Sequence, residues 1–125
     1  MVNDDVEISE TIVDHVRLVR ITGELDADGA DIAAHALGAP RNDATLATVV
    51  DLSPVTFADS AFLHMLLSAQ QRHEEAGLLL VLAALTPPVR RLLDLTGTAR
   101  RFAVVPDLPA AMDRVRAHDA DRARP

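Results

Sequence analysis

The sequence predicts an α/β fold: a mixed, mostly parallel sheet of about five strands with an N-terminal antiparallel hairpin, and about four helices. Three observations point there. The apolar runs at Val49-Val50-Leu52 and Leu78–Leu85 mark central strands covered on both faces. Segments with helical apolar spacing follow these runs, and strands alternating with helices imply parallel pairing through right-handed crossovers. Two strand-like stretches near the start are joined by a very short connection, which makes that pair antiparallel.

In chain order, Val6, Ile8 and Ile12 suggest a first short strand near Val6–Ser9. Asp14-His15 is a turn. His15–Thr22 carries Val16, Leu18, Val19 and Ile21 and reads as the second strand, ending at Gly23. Asp26 or Asp28 caps the helix that follows, in which Ile32, Ala33, Ala36 and Leu37 share a face. Gly38, Ala39 and Pro40 stop it, and residues 41–44 form a polar loop. Leu46–Leu52 is the third strand, followed by a loop containing Pro54. The helix beginning at Ser60 places Leu63, Leu66, Leu67 and Gln70 on one stripe. Ala61, His64, Met65 and Ser68 face elsewhere, and Gly77 ends the segment. Leu78–Ala83 is the fourth strand. Thr86 is the expected cap of a helix with proline in its first turn, held to the core by Val89, Leu92, Leu93 and Leu95 and closed by Gly97. Phe102–Val105 is the fifth strand. A last helix carries Leu108, Ala111, Met112 and Val115 on one face. Residues 1–116 are read as the domain and 117–125 as a flexible C-terminal tail.

Composition narrows the function. The 125 residues suit one domain, and 49% of them are hydrophobic, enough for a sizeable core. Net charge is −7, so neither nucleic acid nor an anionic membrane surface is the expected partner. Aromatics make up 2%, which leaves no stacking platform for single strands. The chain has no cysteine, which excludes disulfides and thiolate chemistry. The acidic start, MVNDDVEISE, is unlike a signal peptide. No apolar run approaches the roughly 20 residues of a membrane helix. A cytoplasmic protein is expected.

The candidate site is the segment Val49–Leu67, in which a strand and loop deliver Asp59-Ser60 to the first turn of a helix. His64 and His73 fall on opposite sides of that helix, and no histidines stand at metal-ligand spacing. G-x-S-x-G is missing around Ser60, no base histidine can be assigned, and the five glycines form no phosphate loop. Neither catalysis, a metal nor a cofactor is expected. On spacing alone, Asp59-Ser60 is a helix cap worth about 1 kcal/mol. Ser60 also suits phosphorylation, being small and at the positive end of a helix dipole. A phosphate there gains up to about 2 kcal/mol from the dipole. It meets repulsion from Asp59 of about 3 kcal/mol per unit charge at ~6 Å and an effective dielectric near 20. The two nearly cancel, so the modification would act mainly on a partner's surface. Asp26 and Asp28 either cap a helix or join Asp59 in an acidic rim at neighbouring strand ends.

Three segments carry a family resemblance, in order. Thr22-Gly23-Glu24-Leu25-Asp26 resembles the GELD turn of STAS domains. Asp51–Ser60, DLSPVTFADS, is similar to their strand-and-phosphosite segment. Pro87–Gly97, PPVRRLLDLTG, resembles their third-helix segment. The match spans roughly residues 6–116 and is to the anti-sigma factor antagonists among them. The resemblance implies a STAS-like fold in a bacterial switch protein of sigma factor and transcription regulation. Such a protein binds an anti-sigma factor with a histidine-kinase-like ATPase fold and so frees the sigma factor. The partner phosphorylates Ser60 with ATP and is released, which is partner switching, and a phosphatase resets the serine. The partner face implied comprises Glu24, Asp26, Asp28, Asp59, Ser60, Ala61, Phe62, His64 and Met65. The family continues after the serine with Ser or Thr, then Gly and Leu; here it reads Ala61, Phe62, Leu63. Ala61 removes a second hydroxyl. Phe62 either anchors a divergent partner, turns inward or blocks a kinase. Ala61 and Phe62 together motivate the alternative, a non-phosphorylated STAS scaffold or regulatory module, as in a stressosome or lipid-transport assembly. A small enzyme or ligand-binding domain is a third reading, resting on the aspartates near the strand ends. An exposed patch around Phe62 and Met65 would allow a weak dimer; otherwise the chain is a monomer.

Overall fold

The computed structural model describes residues 6–38 and 45–123. The Ala39-Pro40 helix stop and the loop at 41–44 lie outside them, as do the first five and last two residues. The strands are β1 (Glu7–Val13), β2 (Val16–Leu25), β3 (Ala47–Asp51), β4 (Val55–Ala58), β5 (Leu79–Ala83) and β6 (Ala103–Val105). The helices are α1 (Ala27–Ala36), α2 (Ser60–Glu75), α3 (Pro87–Thr96) and α4 (Leu108–Ala123), with a short 3-10 turn at Ala99–Arg101. The main sheet runs β1-β2-β3-β5-β6, and β4 pairs with the far end of β2. Among the described residues only the β1–β2 pair is antiparallel. The mixed α/β class is as expected from the sequence, with six strands among the described residues rather than about five.

β3 shows why the sheet is two-sided. Its residues are all buried, and Val49 and Val50 point to opposite faces. Val50 joins Val19, Ile21, Phe62, Leu66, Leu82 and Leu93 in the core beneath α1, α2 and α3. Val49 joins Val16, Val81, Val105, Ala111 and Val115 beneath α4. Each fully buried valine or leucine contributes about 1.5–3 kcal/mol. Ile32, on the expected apolar face of α1, is 45% exposed, and the other departure from the expected core is Leu95, at 80% exposed. It lies two residues past buried Leu93, about 200° around the helix and so on the outer side. Thr86 occupies the α3 cap position but makes no side-chain capping bond. α4 continues to Ala123, through much of the stretch expected to be tail, and Arg122 Nη1 donates to the Gly77 carbonyl (2.9 Å).

The first hairpin is longer than the periodicity suggests. β1 runs to Val13, where Val13 faces Val16 across a two-residue turn. Both turn residues have positive φ, 52° at Asp14 and 66° at His15, the backbone of a type I′ turn. This twist matches the strands but strains a histidine. His15→Gly is expected to stabilise the fold by roughly 0.5–1 kcal/mol after allowing for glycine's extra unfolded-state freedom. A urea midpoint that stays put or falls would contradict this reading.

A buried polar network, not anticipated from the sequence, ties the helices to the sheet. His73 on α2 is fully buried. Its Nδ1 lies 2.8 Å from the Ala69 carbonyl and must donate to it, which leaves Nε2 to accept from the Thr48 hydroxyl at 2.8 Å. Thr48 Oγ1 in turn accepts from Arg17 Nε (3.2 Å) and Nη2 (3.1 Å). Arg17 also donates to the Ala36 carbonyl (2.9 Å) and the Gly38 carbonyl at the end of α1. This tautomer leaves no place for a second proton on His73. Burial lowers its pKa below the ordinary 6.5, and the nearby Arg17 cation adds to this against the opposing bond to Ala69. Below 6.5 the unfolded chain takes up a proton that the folded chain refuses. Stability from this group is therefore complete above pH 6.5 and falls as the pH drops toward the folded-state pKa. The stability advantage of the parent over His73→Gln is expected to shrink between pH 7.5 and pH 5, by up to about 1.4 kcal/mol per pH unit. Urea titrations of both proteins at the two pH values measure it. A constant difference would contradict the neutral-histidine assignment.

Candidate functional site: the β2–β4 end and the start of α2

The site is built by a strand that changes partners. β2 pairs with β3 over Val16–Arg20, then with β4 over Gly23–Leu25. The register shifts between Gly23 and Glu24, and Gly23 has φ 114°, which only glycine adopts without strain. Gly23 N–H donates to the Pro54 carbonyl (3.0 Å). At the far end, Asp59 N–H donates to the Leu25 carbonyl (3.2 Å). This bond joins the GELD segment to Asp59-Ser60; Glu24 and Leu25 are the end of β2, which runs two residues past the expected stop at Gly23 because β4 pairs with it there.

Each segment then starts a helix. Asp26 is the cap of α1, its Oδ1 accepting from Gly29 N–H (3.0 Å), while Asp28 sits exposed in the first turn. Gly29 lets α1 start close to the sheet: a Cβ there would lie 3.0 Å from both the Glu24 carbonyl oxygen and Val6 Cγ2. Asp59 is the cap of α2, its Oδ1 accepting from Ala61 N–H (3.0 Å) and Phe62 N–H (3.4 Å). Ser60 is the first helical residue and is exposed. The capping role thus falls to Asp59, and Ser60 stands free of it.

Glu24, Asp26, Asp28 and Ser60 are exposed around this end, with Asp59 and Ala61 half-buried. His64 is exposed one turn along α2. Two expected members of the partner face are not on it. Phe62 is fully buried and packs in the core under the helices. Met65 is 7% exposed and forms part of the floor between α1 and α2. Phe62 therefore turns inward, and the exposed Phe62–Met65 patch does not exist. The reason is helical spacing: positions 62, 65, 66, 69 and 73 form the inward stripe of α2. Between α1 and α2 a groove of about 370 Å³ opens beside the site, lined by Ala30, Ala34, Ala61, His64, Met65 and Arg72 among others.

Phe57 was missed by sequence reasoning. It lies on β4 opposite Glu24, is 47% exposed and sits three residues before Ser60. Its segment reads as loop because β4 has four residues, follows a proline and buries fully only Val55. The available signal was an aromatic in a chain with only three phenylalanines. Among the described residues, no group of three or more His, Cys, Asp or Glu side chains is placed to hold a metal ion.

A parallel sheet opened by an antiparallel hairpin, with a serine presented behind a capping aspartate beside a GELD turn, defines a STAS domain. Residues 8–106 match the family model described as "Mlab, STAS domain", and the chain belongs to the STAS domain family, within it to the anti-sigma factor antagonist type. Among solved structures, an anti-sigma factor antagonist from Mycobacterium paratuberculosis is 30% identical with a TM-score of 0.80, over 92% of this chain and 97% of that one. RsbS of Moorella thermoacetica is 22% identical with a TM-score of 0.70, over 91% of this chain and 98% of that one. The anti-sigma factor antagonist SpoIIAA in its unphosphorylated form is 19% identical with a TM-score of 0.68, over 90% and 96%. The last two share the fold. No curated protein sequence matches the chain. No helix among the described residues is long and apolar enough to cross a membrane.

Proposed function

We propose that this protein is an anti-sigma factor antagonist switched by phosphorylation of Ser60. It binds an anti-sigma factor with a histidine-kinase-like ATPase fold and frees a sigma factor. The partner transfers the γ-phosphate of ATP to Ser60 and is released; a phosphatase restores the serine. The protein itself is a substrate and a binding module without catalysis of its own, acting in the cytoplasm. The observation that carries this reading is the exposed Ser60 at the start of α2, with Asp59 already engaged as the cap. Glu24, Asp26, Asp28, Asp59, Ala61 and His64 surround the acceptor as the partner face, and Phe57 supplies its apolar anchor. Aromatic side chains at the centre of an interface commonly dominate its energy.

The scaffold alternative drew on Ala61 and Phe62. The burial of Phe62 removes it from the face that a kinase would approach, and Ala61, half-buried beside Ser60, does not by itself separate the two readings. Incubation with the cognate ATPase-fold anti-sigma factor and γ-labelled ATP is expected to place one phosphate on the protein, and Ser60→Ala to abolish it. Label that persists in Ser60→Ala would sink the assignment.

A further inference from the structure

Charge is divided along this chain. Residues 90–125 hold eight arginines against five acidic residues, whereas residues 1–89 hold four against fourteen. One open edge of the sheet lies in the basic part. Among the described residues β6 is the last strand in the sheet order and pairs with β5 alone. The Val105 carbonyl accepts from Ala84 N–H (3.1 Å), so Val105 turns its peptide groups toward β5. Peptide groups alternate sides along a strand, which points the N–H and C=O of Val104 to the open edge.

α3 lies in the helix layer on one face of the sheet, packed against β4 and the Ala99–Arg101 turn, and α4 covers the other face against β3, β5 and β6. A groove of about 270 Å³ lies between them. Leu93, Phe102 and Val104 give it apolar lining, and Arg90 from α3 and Arg114 from α4 flank it. Among the described residues the ion pairs are Arg17–Glu10, Arg20–Asp51, Arg101–Glu74 and Arg116–Asp113. Arg90 and Arg114 are in none of them. Asp94 also lines the groove but comes within ion-pair distance of neither.

We propose that this edge binds an extended segment of a partner protein bearing two consecutive carboxylate side chains. A strand laid against β6 pairs its backbone with Val104. Its successive side chains then point to opposite faces of the sheet. One carboxylate reaches the α3 side, where Arg90 stands, and the next reaches the α4 side, where Arg114 stands. Of the two apolar residues flanking the acidic pair, the one that falls on the α3 side covers Phe102 and Leu93. Strand addition of this kind takes affinity from the main chain and specificity from alternating side chains. The inference is independent of Ser60.

The test is an amide chemical-shift titration of the isotope-labelled full chain with a synthetic peptide, Ser-Gly-Val-Glu-Asp-Val-Gly-Ser. Saturable shifts are expected at Phe102, Val104 and the residues around Arg90 and Arg114. Arg90→Ala and Arg114→Ala are each expected to weaken binding about three- to fivefold, the scale of a partly exposed ion pair. Val104→Pro removes the outward donor without removing a bond to β5 and is expected to abolish binding. A peptide with Lys-Lys in place of Glu-Asp is expected not to bind. No saturable shift by about 1 mM, the affinity expected of so few contacts, would overturn the proposal. So would binding that survives Val104→Pro, because the arginines would then be holding a free anion. Phosphatidylglycerol vesicles that bind through the same arginines while the peptide does not would overturn it in favour of a membrane. If Val104→Pro unfolds, as circular dichroism would reveal, the arginine variants and the Lys-Lys peptide decide.

Discussion

Ser60→Asp is expected to weaken the complex with the anti-sigma factor by about a hundredfold, while Ser60→Ala binds within about threefold of the parent but is no longer released by ATP. The asymmetry follows from the start of α2. The Asp59 carboxylate already accepts from the Ala61 and Phe62 amides. A charge added at position 60 finds these donors occupied and stays on the surface. Around it stand Asp59 and the exposed carboxylates of Glu24, Asp26 and Asp28. Covering an added charge without a partner for it costs about 2–5 kcal/mol, which sets the loss for Ser60→Asp. Removing the hydroxyl costs little, because an exposed residue outside the cap is usually worth under about 0.5 kcal/mol. Calorimetric titration of the three proteins measures the affinities. Equal affinity for Ser60→Asp and the parent would contradict the switch.

Two phenylalanines are expected to separate stability from binding. Phe62→Ala should cost about 3–5 kcal/mol of folding free energy, because its side chain is fully buried among the core residues beneath α1–α3. A small domain commonly has only 5–15 kcal/mol in total, so the variant sits near unfolding at 37 °C. The fraction that remains folded is expected to bind the partner normally. Phe57→Ala should do the reverse. Being 47% exposed, it loses little stability, but as an interface anchor it loses about 2 kcal/mol of binding, roughly thirtyfold. Urea denaturation and calorimetry on both variants distinguish the roles. A stable Phe62→Ala that fails to bind would return Phe62 to the partner face.

The contrast between these residues also marks what was legible in the sequence. β3 and β5 were readable because a strand covered on both faces needs an unbroken apolar run, and Val49-Val50 and Leu79–Ala83 supply it. Gly77 and Gly97 marked helix ends because few other residues stand there comfortably. Ser60 at the start of α2 was readable from the apolar spacing after it. The inward stripe of α2 was misjudged by about one position, and that small rotation carried Phe62 and Met65 from the surface into the core. β4 was hidden because a short strand at the end of another carries little pattern of its own. Its pairing with β2 depends on Gly23, whose positive φ is a tertiary requirement. The Arg17–Thr48–His73 network was hidden for a similar reason. Its members come from three elements, 25 or more residues apart, and no local spacing brings them together. The family resemblance supplied what periodicity did not, by linking the GELD turn to the serine. The Leu25–Asp59 bond is the physical form of that link.

The most direct test of the switch is affinity capture of the protein from its native host, with and without ATP, followed by phosphosite mapping of the captured chain. An ATPase-fold anti-sigma factor is expected to be retained without ATP. With ATP, release of that partner and a single phosphate on Ser60 are expected. A partner that stays bound in ATP while Ser60 remains unmodified, or a phosphate placed on another residue, would contradict it.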